Sequence, residues 1–415
     1  MYNETPTSRA ACSQLDEIDP LAHWRDQFEL PNHVTYLDGN SLGAQPRVAR
    51  EATERVLHDW SSSLVGSWNS AGWFEAPCRL GKKVATLIGA KPDEVVVTDS
   101  MSVNLFKLLV VAIRLRPERA VVLCESRSFP SDRYIAESAA GMFPHVCCQH
   151  VAANDIESHI DQRTAAVYLA HVDYKSSHMH DMERINRCAH DCGATVIWNL
   201  AHSAGAMPLE LSKLATDFAV GCGYKYLNGG PGAPSFVYVA RRLQQDLQQP
   251  LTGWFSHLEP FAFSDQYRPA NGVQRLLCGT PPIVSMSTLE AAVDLWQHVD
   301  LAQVRAKSVA MTSLFIEQAV PRGAAYGLEL STPLDPRQRG SHVSFTHQFG
   351  HSIMQALIDR NVIGDFRAPN LIRFGMTPLY LRFVEVWDAI DKLIEILDTE
   401  AWRDPKYRRQ DRPVT

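Results

Sequence analysis

No uninterrupted apolar run in this sequence approaches the ~20 residues a helix needs to cross a bilayer, so a membrane-spanning role is not expected. Basic residues do not cluster, and 40 lysines and arginines against 46 acidic residues leave a formal charge of −6, a poor surface for nucleic acid. The first residues, with Asn3, Glu4 and Thr5, lack the charged-then-apolar segment of an export signal, and a cytoplasmic protein is expected. Cysteines number nine, an odd count at irregular spacings, which favours free thiols over a disulfide framework. Cys188 and Cys192 lie a helical turn apart around His190, and His178 and His180 flank Met179, but no second pair at ligand spacing accompanies them. They are expected to belong to a helix and its approach loop, and no metal site is expected.

What is present is a soluble chain of 415 residues, long enough for a large core and more than one structural unit. Its centre of interest runs from residue 194 to 239. Short β-branched and aromatic runs (Thr195 to Trp198, Phe218 to Cys222, Ser235 to Val239) enclose Tyr224-Lys225-Tyr226-Leu227-Asn228-Gly229-Gly230-Pro231-Gly232. A lysine in a turn is ordinarily a surface residue. This one falls at the end of a strand, where α/β sheets place their ligands, among glycines that let backbone approach a planar phosphorylated molecule. Burial there lowers an amine's pKa and makes it a carbonyl-binding nucleophile, and a Schiff base to a pyridoxal cofactor is the commonest use of such a lysine.

The flanking chain alternates strand and helix: Val95 to Thr98, Val103 to Leu115, Val121 to Cys124, Asp132 to Met142, Ala165 to Leu169, Met182 to Cys192. Crossovers of that length imply parallel pairing with helices on both faces, a doubly wound α/β domain. Leu21 to Leu30 shows helical spacing, Pro46 starts a helix running to Trp60, and the polar first twenty residues are expected to be disordered or loosely docked. Asp99-Ser100-Met101-Ser102 joins a strand to a helix; it is either a routine N-cap or a phosphate seat, and Phe129-Pro130-Ser131-Asp132 has the same setting. Beyond residue 340 the pattern changes to a smaller α+β unit, with strands over Ser341 to Thr346 and Leu371 to Met376 and helices over Ser352 to Arg360 and from Phe383 to Leu397. Arg373 lies on the second of those strands in an apolar setting, and its fork needs an anionic partner: a structural ion pair or a ligand carboxylate.

Three strings together, Tyr224 to Gly232, Leu200-Ala201-His202-Ser203-Ala204-Gly205 and Tyr36-Leu37-Asp38-Gly39-Asn40-Ser41-Leu42-Gly43, resemble the bacterial kynureninases, and the resemblance runs from about residue 20 nearly to the end. It implies a pyridoxal 5′-phosphate enzyme of the aspartate aminotransferase fold type I, with a large, doubly wound, mostly parallel seven-stranded sheet domain and a smaller α+β domain. Residues 1–45 would join the small domain to the substrate end of the site, 46–300 form the large domain and 301–415 the small one. The implied reaction is hydrolysis of L-kynurenine to anthranilate and L-alanine, the unhydroxylated substrate being favoured by Trp68 and Thr280. Lys225 would hold the cofactor and move protons, and Tyr224 would bind its phosphate and shuttle a proton. Met101 and Ser102 would also hold the phosphate, Phe129 would stack on the ring, and Asp132, Asn199 and His202 would complete the cofactor's surroundings. Arg373 would bind the substrate α-carboxylate, with Trp68, Asn40 and Ser41 as further substrate contacts. Trp254 and Thr280 would reach the neighbouring subunit's cofactor in a homodimer.

The chain departs from the family's pattern at two places. The family has aspartate at Asn199, where a carboxylate keeps the ring nitrogen protonated, and an amide supplies no charge to do so. Losing one member of a buried pair costs about 3 to 5 kcal/mol, and a comparable loss at the transition state would slow the reaction ~10²-fold or more. Asn199→Asp is accordingly expected to raise the rate. Ala170 stands where relatives carry serine or threonine. These changes leave open a weakened kynureninase, a related enzyme for a modified kynurenine or another amino acid, and a non-catalytic cofactor-binding homologue.

Overall fold

The computed structural model describes residue 2 and residues 5 to 408. Asn3 and Glu4, on which the reading of the N-terminus rested, and residues 409–415 of the expected small domain lie outside it. Seven strands, β1 (Val95–Thr98), β2 (Val121–Glu125), β3 (Cys147–Val151), β4 (Thr164–Ala170), β5 (Thr195–Asn199), β6 (Phe218–Cys222) and β7 (Ser235–Val239), form one sheet. Their order is β1-β7-β6-β5-β4-β2-β3, and only β7 runs antiparallel to its neighbours. This is the doubly wound, mostly parallel sheet expected from the sequence. Strands β1, β2, β5, β6 and β7 are buried at every residue, the signature of a sheet covered by helices on both faces. Gly81, on the helix Ala76–Leu87, shows how close that cover is: a Cβ there would lie 2.2 Å from the Val95 carbonyl oxygen.

Four further strands, β8 (Glu329–Leu330), β9 (His342–Thr346), β10 (Asp365–Arg367) and β11 (Leu371–Gly375), make an antiparallel sheet in the order β8-β9-β11-β10. Phe374 of β11 stacks on Phe315 of the helix Leu301–Gly323 at 4.6 Å between ring centroids. The two-residue strand Thr35–Tyr36 pairs in parallel with Val362–Ile363 and delivers residues 37–44 to the edge of the large sheet.

The N-terminal expectations need two corrections. Leu21 to Leu30 is not one helix: a 3-10 turn, Ala22–Gln27, gives way to Phe28–Glu29, which pairs with Gln45–Pro46. Pro31 explains the break, because a residue preceding proline is pushed out of the helical region. The described residues among the first twenty are not loose either. A helix, Arg9–Glu17, is capped by Ser8 and docks on the helix Phe383–Asp398. Asp16 accepts the N–H groups of Phe383 and Val384 at 2.6 and 3.0 Å, and Arg9 pairs with Asp388 at 2.7 Å. Asp19 forms a buried ion pair with Lys307 at 2.6 Å. The partners are polar, so hydrophobic spacing did not reveal this docking.

Candidate active site

The parallel strands end on one edge of the sheet, and that edge carries the chemistry. Glu125, Ala170 and Asn199 are the last residues of β2, β4 and β5; Asp99 follows β1, and Lys225 lies three residues beyond β6. One cavity at this edge is lined by Met101, Ser102, Phe129, Asp132, Asn199, His202, Tyr224 and Lys225. Eight side chains scattered over 125 positions of sequence are thus brought together.

Lys225 Nζ lies 2.9 Å from His202 Nε2. Burial lowers the pKa of Lys225, helped by the positive charge of Arg373 and opposed by Cys222 and Asp132. Burial, with the charge of Lys225, also holds His202 well below the usual imidazole range, so the histidine beside the lysine is neutral. The Tyr224 hydroxyl is raised, chiefly by burial and next by Cys222, and stays protonated at neutral pH, where it can only donate a proton.

Two helices point their N-termini into the cavity. Ser100 caps the helix Met101–Arg114, and Phe129 precedes the helix Pro130–Ala140. Ser102 Oγ and Ser131 Oγ, one from each first turn, stand 3.4 Å apart. The N–H groups of Met101 and Ser102 have no acceptor earlier in their helix, and converging helix dipoles suit a phosphate. Phe129 is 45% exposed at the cavity wall, its ring edge-on to Tyr174 at 5.1 Å. These features fit pyridoxal phosphate: a buried amine for the aldehyde, paired helix N-termini for the phosphate, and an uncovered aromatic face for the ring.

Arg373 has found its anion within the fold. Its Nε donates to Asp365 Oδ1 at 2.6 Å, its Nη2 donates to Asp365 Oδ2 and to Ser41 Oγ, and its Nη1 donates to the Tyr174 carbonyl. Of the two alternatives left by the sequence, the structural ion pair is the one seen; Arg373 does not itself line the cavity and adjoins it through the Tyr174 carbonyl. The N-terminal loop closes over it. Gly43 N–H donates to the Tyr224 carbonyl at 2.8 Å, and a Cβ on Gly43 would lie 2.2 Å from the Lys225 carbonyl oxygen. Asn40 is buried against Gly375, and neither its amide nitrogen nor its amide oxygen has a hydrogen-bond partner in the chain.

Asp38 enters the same network. Burial, reinforced by the Asp365 carboxylate, pushes its pKa up to about 7, and Asp365 is held low by Arg373 against its own burial. Between the ordinary carboxylate value and about 7 the folded chain holds the Asp38 proton more tightly than the unfolded chain, so this residue's contribution to stability falls as pH rises through that window. Asp38→Asn is expected to raise stability above pH 7 by about 1 to 3 kcal/mol and to leave it little changed at pH 4; urea denaturation at both pH values checks this.

Trp68, Trp254 and Thr280 do not line the cavity. The Trp68 ring packs on Trp73 and Phe255 at 5.9 and 6.3 Å, and Trp254 packs on Phe255 at 4.7 Å. Trp254 is 40% exposed and Thr280 is on the surface. Sequence reasoning missed Ser131, Glu125, Tyr174 and Asp365, and also Tyr168, whose hydroxyl donates to Asp132 at 2.6 Å. Ser131 stands next to the singled-out Asp132; Tyr174 adjoins none, and Tyr168 reads as an interior strand residue and carried no signal. Cys188 and Cys192 point at backbone carbonyls, His180 at Glu125 and His190 at Asp217. All nine cysteines are free. Among the described residues no three His, Cys, Asp or Glu side chains group to hold a metal, and no helix is long and apolar enough to cross a membrane.

Residues 304–393 match the family model described as the kynureninase C-terminal domain. The kynureninase of Pseudomonas fluorescens is 49% identical over 409 residues, covering 97% of this chain and 98% of its own. Kynureninase of Burkholderia mallei is 47% identical over 407 residues, 96% of this chain and 98% of its own. Among solved structures, a cysteine desulfurase from Thermococcus onnurineus NA1 superposes with a TM-score of 0.77 at 19% identity, covering 91% of this chain and 98% of that one. A variant of the cystine C-S lyase C-DES, with glycine covalently linked to its pyridoxal phosphate, gives 0.76 at 18% identity, covering 89% and 99%. At that identity the two structures speak for the fold alone, and the fold they share is that of pyridoxal-phosphate fold type I.

Proposed function

Because this chain belongs to the kynureninase family, we propose that it hydrolyses L-kynurenine to anthranilate and L-alanine with pyridoxal 5′-phosphate as cofactor. The observation that carries the reading is Lys225: a buried amine of lowered pKa, touching a neutral histidine, at the cavity where two helix N-termini meet. When bound, the cofactor supplies a sink for the electron pairs released at the amino acid's carbon atoms. Lys225 would bond its aldehyde, Met101, Ser102, Ser131 and Tyr224 would hold its phosphate, Phe129 would cover the ring, and Asn199, backed by Asp132, would meet the ring nitrogen.

The Lys225 amine, with neutral His202 Nε2 beside it at 2.9 Å, would serve as the base for the substrate's Cα proton. Tyr224, which keeps its proton, is the acid for the carbon atom left by cleavage. Arg373 orients the substrate carboxylate, and Asn40, with both ends of its amide unpartnered, bonds the polar end of the substrate nearest the N-terminal loop.

The active unit is a homodimer in which Trp254 and Thr280 reach the partner's phosphate. Their position outside the chain's own cavity supports this, as does the exposure of neighbouring Phe261 (64%) and Phe263 (84%). The two domains, 46–300 and 301–415, with residues 1–45 spanning them, carry the two ends of the site. Purified, cofactor-loaded protein mixed with L-kynurenine is expected to release anthranilate, read by its fluorescence. A protein that stays colourless after pyridoxal phosphate is added, or that gives a coloured adduct and no anthranilate, removes the proposal.

A further inference from the structure

The amide at position 199 is held in one orientation by its surroundings. Its Oδ1 accepts the N–H of Ala201 at 2.8 Å, and its Nδ2 donates to Asp132 Oδ2 at 3.0 Å and to the Tyr168 hydroxyl oxygen at 3.2 Å. Turned over, the amide would set its nitrogen against the Ala201 N–H and its oxygen against a carboxylate, replacing two attractions with two repulsions. The nitrogen is therefore turned to the Asp132–Tyr168 pair, whose oxygens are 2.6 Å apart, and the second lone pair of Oδ1 is left on a residue that lines the cavity.

That leftover group is an acceptor, and an acceptor can face a pyridine nitrogen only if the nitrogen carries a proton. A bare ring nitrogen would meet Oδ1 lone pair to lone pair. The negative charge that holds such a proton is one bond further back. Asp132 is buried, and its Oδ2 takes hydrogen bonds from both Tyr168 and Asn199. In a buried chain of this kind each hydrogen bond polarises the next, so a carboxylate that pulls on the Nδ2 hydrogen makes Oδ1 a stronger acceptor.

We propose that Asp132 and Asn199 together form a relay that keeps the cofactor's ring nitrogen protonated, doing with a carboxylate and an amide what an aspartate at position 199 does alone. Asp132 acts through Asn199 and is a positioning residue; Asn199 is the group that touches the cofactor. This rests on the pyridoxal phosphate reading above and corrects the expectation, drawn from the sequence, that the amide leaves the electron sink without support. The sequence placed Asp132 near the cofactor but not against Asn199, 67 residues away and on another element.

The test loads the protein with pyridoxal phosphate carrying 15N in the ring and records its 15N resonance between pH 7 and 8. The wild-type chain is expected to show a protonated nitrogen, and Asp132→Asn a bare one together with a roughly tenfold weaker affinity for the cofactor, the scale of one charge-assisted hydrogen bond. Should Asp132→Asn fail to fold, Asn199→Leu breaks the relay with Asp132 in place and is expected to give the bare nitrogen too. Asn199→Asp keeps the proton and raises turnover less than tenfold. A bare nitrogen in the wild-type chain overturns the relay. So does a nitrogen that stays protonated in the variant that breaks the relay, or a gain of 10² or more from Asn199→Asp. Failure to bind the cofactor at all, seen as no colour, defeats the reading beneath it instead, so the two failures are told apart.

Discussion

Lys225→Ala is expected to lower the rate of anthranilate release by ~10³-fold or more while leaving the protein as stable as the wild type, or more so. The catalytic loss follows from the two duties placed on one amine. It holds the cofactor covalently and it moves the proton at Cα, and removing a positioned base alone costs about 10² to 10⁴ in rate. The stability effect has the opposite sign because this cation is buried without a carboxylate in contact: its near neighbour is a neutral imidazole, and Arg373 opposes it. The lowered pKa means that the unfolded chain binds this proton more tightly, so the residue's presence weakens the fold most at neutral and acid pH. That handicap fades as pH rises toward the ordinary lysine value. Thermal melts of wild type and variant at pH 7 and pH 10, run beside the fluorescence assay, check both halves. Retention of activity within tenfold would remove Lys225 from the centre of the reaction.

The lysine was legible in the sequence for a reason that does not extend to the rest of the site. Strand β6 and the glycines after Lys225 form one local string, so periodicity placed the amine at a strand end and composition placed backbone close to a ligand. The sheet was legible too, because strands buried on both faces are unbroken β-branched runs and the crossovers between them have helical spacing. What stayed hidden was pairing over long separations. Asp365 neutralises Arg373 from the neighbouring strand, and Ser41 joins the pair from more than 320 positions away. Tyr168, Asp132 and Asn199 come from different elements, which is why the bond that ties the Asp132 charge to Asn199 was not foreseen. The N-terminal helix was missed on similar grounds: it buries Cys12 fully and Leu15 in part against the core, and is held by ion pairs and by capping of a helix near the other end of the chain.

Arg373→Ala is expected to damage fold and function together, in proportions that pH can separate. Four of the guanidinium's five N–H groups are already bonded, two of them to Asp365, one to Ser41 and one to the Tyr174 carbonyl. Removal leaves Asp365 buried with Arg367 at 2.8 Å and the Ser41 hydroxyl at 2.7 Å, and breaking a buried pair in this way costs about 3 to 5 kcal/mol. In the wild type Asp365 is held low, so its support for the fold is present at neutral pH and is lost only in strong acid. In the variant the carboxyl can take up a proton near its ordinary value, so the stability gap between the two proteins should shrink as pH is lowered from 7 to about 4. On the functional side, the fifth N–H and the weak 3.3 Å bond to Ser41 are what a substrate carboxylate can claim. Losing an arginine–carboxylate contact of about 1.5 to 3 kcal/mol should raise KM for L-kynurenine by roughly 10- to 10²-fold, with a smaller change in kcat. Arg367→Ala, which removes the more exposed partner and leaves the Arg373 fork on Asp365, should move stability and KM far less. Equal effects from the two variants would mean that the carboxylate is bound by the pair rather than by Arg373. A normal KM in a folded Arg373→Ala protein would mean that this arginine serves the fold alone.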